Sequence, residues 1–453
     1  MRRHFPTILL AVVLGGLGAY LYFVEVPTER HKTEQEAKRQ KLLTIEEREI
    51  TGLDVAWPSS SVALEKRDGR WMMTKPVATE GDPREIEAMI RALVLGKVNR
   101  VVEEHAANLE PFGLAHPPVT VTVKAGTREE RIALGDTGPI SSTLYAQRPP
   151  EHSVLLTDLA ARDFLSKSVF TFRKKELLAI DQSKVDRLRL ASPQTEIVLY
   201  REEEPGGRPK WKIRFPIETG ADQPEVRALV IKLEDLKALA FLDPGPEHDA
   251  LLKTLTTPEM KLTVHQDGAD QTVKFYRTDP AKGEAYAVMT ADGPIYRVNP
   301  AVVQELKKDL FTLQDKRLLG LEKEQIALLT VKGRDRHFTL INQNDEWVLE
   351  SRPQDKIDQQ KAAIFVSRVA ELPAELRVIK HTGPLAPYGL ATPSLEITAT
   401  GKDGKRIGRL ILGTKVGGLV YAMGQRLPGV FQARADLLTQ VPSEAELLAK
   451  PSN

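Results

Sequence analysis

The chain has no cysteine among its 453 residues. That one absence removes disulfides, thiol nucleophiles, thiolate metal ligands and a lipidated-cysteine anchor. Histidine is scarce, nine in all, and the closest pair, His105 and His116, stands eleven residues apart, so no helical zinc-ligand spacing exists. No GxxxxGK[ST] loop or GxSxG turn occurs, and Gly15, Gly16 and Gly18 lie in an apolar run instead of a dinucleotide-binding turn. An excess of one charge is missing too: 64 basic against 62 acidic residues leave a net +2, with no basic field for a nucleic acid. The expectation is a non-enzymatic chain with no catalytic residue, no cofactor, no metal and no nucleic-acid partner.

Long hydrophobic runs are absent as well, except for one. Residues 5–24, FPTILLAVVLGGLGAYLYFV, carry no charge, and at about 1.5 Å per residue a helix of that length spans roughly 30 Å, the hydrocarbon core of a bilayer. A signal peptide would leave through small residues, whereas this run leaves through Tyr20, Tyr22 and Phe23, which suit a membrane interface. We therefore expect a retained anchor at 5–24 behind a cytoplasmic stub at 1–4, with the bulk of the chain outside the cytoplasm. Ala11, Gly15 and Ala19 recur every four residues and form a candidate contact stripe for another membrane helix. Residues 25–44 are rich in both charges and read as a solvated stalk.

What the chain does have is repetition. PFGLAHPP at 111–118 returns as APYGLATP at 386–393, and a weathered copy, KTLTTP, lies midway at 253–258 with Thr254 in place of glycine. Gly113, Leu114 and Pro117 thus correspond to Gly389, Leu390 and Pro393, and the middle copy keeps Leu255 and Pro258. A second set of landmarks keeps step: Trp71, Pro76 and Asp82; Trp211, Pro216 and Asp222; Trp347, Pro353 and Asp358. Leu134-Gly135 and Leu412-Gly413 read as strand ends, and a Tyr-Ala pair recurs at Tyr145, Tyr286 and Tyr421. The segment starting at Phe170 matches that from Phe311. We read three modules, at 45–180, 181–321 and 322–453.

Each module alternates strand-like and helical signals. VTVTVKAG at 119–126 has β-branched alternation, and Asp68-Gly69 is a hairpin turn. Ile86, Met89, Ile90 and Leu93 have helical spacing, as do Val226, Leu229, Val230 and Leu233. Asn299-Pro300 opens a helix through AVVQELKKDL. The fold class expected is α+β: after the membrane helix, three tandem modules of short antiparallel strands with about two helices each. The aromatic-Gly-Leu phrase is read as an anchored connection whose glycine takes a conformation other residues resist, and the three tryptophans as core residues, with sugar stacking as the other reading.

These landmarks together resemble an uncharacterised bacterial domain-of-unknown-function family of single-pass envelope proteins. Members have an N-terminal anchor, a Trp-x-x-x-x-Pro strand, an aromatic-Gly-Leu-x-x-Pro phrase, a Leu-Gly pair and a Tyr-Ala strand. The resemblance covers nearly all of residues 5–453, and the middle module departs from it at Thr254 and in lacking the Leu-Gly pair. It implies an inner-membrane protein with its bulk in the periplasm, often encoded beside ABC transporter components of the gliding-motility type. The function expected is a membrane-anchored scaffold or accessory protein partnering ABC transporter subunits; the alternative is an envelope binding protein for a glycan or exported polymer.

Overall fold

The computed structural model describes residues 40–140, 143–158, 166–203, 207–279, 284–379 and 383–449. The stub, the apolar run at 5–24 with Ala11, Gly15 and Ala19, and the stalk up to residue 39 lie outside the described residues. Among the described residues no helix is long and apolar enough to cross a membrane. The chain forms two compact units, one running to Leu177 and including Lys237–Leu252 and Thr290–Val298, the other holding Leu178–Leu236, Lys253–Met289 and the chain from Asn299.

The first unit is built on β1 (Gly52–Trp57), β2 (Ser60–Arg67), β3 (Arg70–Lys75), β4 (Thr79–Glu80), β5 (Val98–Glu103), β6 (Val119–Ala125), β7 (Arg128–Thr137), β8 (Thr143–Gln147) and β9 (Val154–Asp158). They form one antiparallel sheet in the order β4-β3-β2-β1-β6-β7-β8-β9-β5. The turn between β2 and β3 is the expected Asp68-Gly69, both at positive φ, which matches the twist of the flanking strands. Between β4 and β5 the chain makes the helix Pro83–Leu95, capped by the Asp82 side chain, and it buries Ile86, Met89, Ile90 and Leu93, the face expected from spacing. Each such side chain contributes roughly 1.5–3 kcal/mol relative to exposure. The same unit holds β14 (Ala240–Leu242) paired with β18 (Ile295–Val298).

In the second unit β10 (Val185–Ala191), β11 (Glu196–Glu202), β12 (Lys210–Phe215), β13 (Thr219–Gly220), β15 (Met260–Gln266), β16 (Ala269–Asp279) and β17 (Glu284–Val288) repeat the order as β13-β12-β11-β10-β15-β16-β17. Its other sheet uses β19 (Leu328–Gly333), β20 (His337–Gln343), β21 (Glu346–Leu349), β22 (Leu376–Ile379), β23 (Leu395–Thr400), β24 (Arg406–Val416), β25 (Leu419–Gly424) and β26 (Val430–Arg434), ordered β21-β20-β19-β23-β24-β25-β26-β22. The long helices Gln223–Glu234 and Gln359–Glu371 are again capped by aspartate, Asp222 and Asp358. Three tandem antiparallel modules are thus present, and the chain is richer in strand than the α+β expectation: β16 and β24 run eleven residues.

Four local readings are corrected. Leu42 and Leu43, counted to the stalk, are buried in the first core beside Ile45 of the first module; their apolar signal is masked by the charges on both sides. The isolated bridges Lys41 to Lys97, Glu176 to Lys237 and Arg317 to Pro373 mark equivalent beginnings, so the copies start four or five residues before 45, 181 and 322. The Leu-Gly pairs do not end strands but sit at register shifts inside β7 and β24. The helix opened by Asn299 stops at Leu306, and Asp309 caps a second one, Leu310–Leu313.

Candidate functional site

The glycine of the repeated phrase has the role expected of it. Gly113 and Gly389 close one-turn 3-10 helices in the left-handed conformation, at φ 64° and 69°. Gly135 and Gly413 belong to the same device, since a Cβ on either would come 2.2 Å from the carbonyl oxygen of Phe112 or Tyr388. Leu114 and Leu390 are buried beneath, and Phe112 meets Tyr145 edge-on at 5.0 Å as Tyr388 meets Tyr421. The middle copy replaces this turn with the helix Pro246–Thr254 and buries Leu255. Without the close approach it carries Phe275 and Tyr276 where the other copies carry Leu-Gly. Pro117, Pro258 and Pro393 are half-buried and precede β6, β15 and β23 by two residues, where no ladder amide is needed from them. Pro76, Pro216 and Pro353 are exposed.

The tryptophans occupy equivalent strands, β3, β12 and β21, but unlike surroundings. Trp71 and Trp347 are 3% and 6% exposed, inside their cores, whereas Trp211 is half-buried and lines a cavity. Its backbone is fixed: the Gln223 side chain accepts from Trp211 N at 2.8 Å and donates to Trp211 O at 2.9 Å. Gln359 does the same for Trp347.

The cavity measures about 430 Å³ and is the candidate site. At its floor is Asp315, whose side chain is 13% exposed. Arg317 donates from Nε and Nη2 to Asp315 Oδ2 at 3.0 and 2.9 Å, and Arg426 from Nη1 at 2.7 Å. Arg317 also reaches Glu322 Oε1 at 3.2 Å. The Arg426 guanidinium fits over two glycines: a Cβ on Gly220 or Gly320 would come 2.6 or 2.0 Å from its nitrogens. Burial opposes ionisation of Asp315, but hydrogen bonds from Arg317 and the charges of both arginines outweigh it and hold the carboxyl below its usual range. Arg317 is correspondingly pushed up by its bonds to Asp315. Chemically, the cleft offers aligned N–H donors, carboxylate acceptors and an aromatic side chain.

A family model described as a domain of unknown function (DUF4340) matches three times, over residues 71–254, 211–376 and 347–451, each match beginning at one of the tryptophans. The chain belongs to this family. No curated protein and no solved structure matches it. The first two matches each run from the tryptophan of one copy past the tryptophan of the next, and the third runs from Trp347 to residue 451.

Spacing alone does not reveal this cleft. Its members are departures from the repeat: Gly220 and Asp315 stand where the first copy has Glu80 and Lys174, which pair at 2.8 Å. That lost pair is the signal that could have found it.

Proposed function

We propose that this protein is a non-enzymatic, membrane-anchored scaffold whose repeated modules stand outside the cytoplasm and partner the subunits of an ABC-type transport or gliding-motility-like system. The observation that supports the reading is the joint between copies. Asp82 N donates to Phe172 O at 2.8 Å, closing the first copy, and Lys175 Nζ lies 3.1 Å from the Asp82 carboxylate. On its other side the same short segment accepts at Lys175 O from Ala238 N of the next copy, 2.8 Å away. The second joint repeats this with Leu313, Asp222, Lys316 and Ala374. The segment joining neighbouring copies is held from both sides, which favours transmitting position over independent domains. The uncharged run at 5–24 supplies the anchor.

The test has two parts. A reporter active only outside the cytoplasm, fused after Asn453, is expected to be functional, and the full chain captured from membranes after cross-linking is expected to bring down an ABC permease subunit. An inactive reporter, or recovery of the chain alone, would overturn the reading.

A further inference from the structure

We propose that the cleft at Trp211 is a saccharide site that takes a neutral hexose ring of an oligosaccharide. This goes beyond the scaffold reading and does not rest on it, because the cleft lies within one compact unit and needs no transporter to form.

A sugar ring asks for two things at once: an aromatic surface for its C–H face, and paired donors and acceptors for hydroxyls that do both. Trp211 supplies the first, and it is the one repeat tryptophan left half-exposed at a cavity. The arginines supply donors, while Asp315, Glu218 and Glu322 supply acceptors. Four basic and three acidic side chains line the cavity, so it is close to charge-balanced. Arg317 and Arg426 are already bonded to Asp315 and Lys212 is paired with Glu202, so these cations are largely committed before a carboxylated or phosphorylated ligand arrives, whereas a neutral ring meets no net penalty. The volume, about 430 Å³, falls in the range of roughly 300–1,000 Å³ common to small-molecule sites.

Comparison of the copies says the opening is built. In the first copy the Glu80–Lys174 pair fills the equivalent place and Trp71 is covered. In the second, Gly220 removes the side chain that would block Arg426. The arginines are already locked on Asp315 before any ligand arrives, so little ordering remains to be done on binding.

The experiment uses the full chain in a detergent without a sugar headgroup, titrated with maltohexaose, cellohexaose and chitohexaose, with trigalacturonate and inorganic phosphate as anionic arms. Tryptophan fluorescence and calorimetry are the readouts. Saturable binding of at least one neutral hexasaccharide is expected, weakened tenfold or more by Trp211→Ala and by Gly220→Glu, which restores the first copy's blocking side chain, and unchanged by Trp347→Phe. Circular dichroism checks that each variant is folded, and Gly220→Glu decides alone if Trp211→Ala is not. Binding of none of the three neutral probes, binding only of trigalacturonate or phosphate, or binding that survives Gly220→Glu would each overturn the assignment.

Discussion

The guanidinium of Arg173 lies over the ring of Phe241, 3.8 Å from its centroid. The same group reaches both carboxylate oxygens of Asp243, at 2.9 and 2.8 Å, and its side chain is only 7% exposed. Phe170 and Tyr296 pack against Phe241 at 5.5 and 5.7 Å, so the first joint is an aromatic nest with one buried cation. Arg173→Met should keep the bulk and lose the charge, stranding a carboxylate that is a third exposed. Leaving such a partner unsatisfied costs about 1–3 kcal/mol. Chemical denaturation of the full chain would show it, and an unchanged midpoint would mean the joint is held by its backbone bonds alone.

Gly113→Ala and Gly389→Ala should each be destabilising by about 1–3 kcal/mol, the cost of holding a side chain in a sparsely populated backbone conformation. Steric contact adds to it, since a Cβ at Gly389 would come 2.3 Å from Thr414 Oγ1. Thr254→Gly should bring no gain, because that residue ends a helix and is not at positive φ. Thermal melts of the three variants give the ranking directly.

Trp71→Ala and Trp347→Ala remove core side chains and should cost roughly 3–5 kcal/mol. Trp211→Ala should cost only about 1 kcal/mol, the ordinary size for a partly exposed position. Equal losses at all three would mean that Trp211 is as much a core residue as its counterparts.

Asp315 ties stability to pH with a definite sign. Its carboxyl is held below the ordinary value, so its contribution is present above about pH 4 and is lost as the pH falls through its own depressed value. Asp315→Asn should therefore lie well below the unmodified protein in melting temperature at pH 7 and converge with it in acid. A gap of equal size at pH 3 and pH 7 would remove the electrostatic explanation.

What could be read from the residues was whatever repeats locally. The buried faces of Pro83–Leu95 and Gln223–Glu234 follow from helical spacing, and the aspartate caps and the Asp68-Gly69 turn are short-range chemistry. Leu42 and Leu43 were hidden because charged neighbours dominate any local average around them. The cleft was hidden for a different reason: Gly220, Asp315 and Arg426 come from three distant stretches, and what defines them is the breaking of a pattern. Looking for sameness finds the frame and passes over the place where one copy differs. The split fate of the tryptophans has the same origin, since identical letters on equivalent strands were covered in two copies and uncovered in one.

The joint also has a genetic consequence. Because Lys175 and Lys316 make the same contact to Asp82 and Asp222, an in-frame excision from Glu176 through Lys316 leaves Lys175 followed by Arg317, with a lysine still available to the first aspartate cap. The backbone seam survives such an excision, but Arg426 then meets Glu80 and Lys174 where it had Gly220 and Asp315. A lineage can therefore alter how many modules it carries by unequal recombination at these points, provided that second contact is adjusted as well.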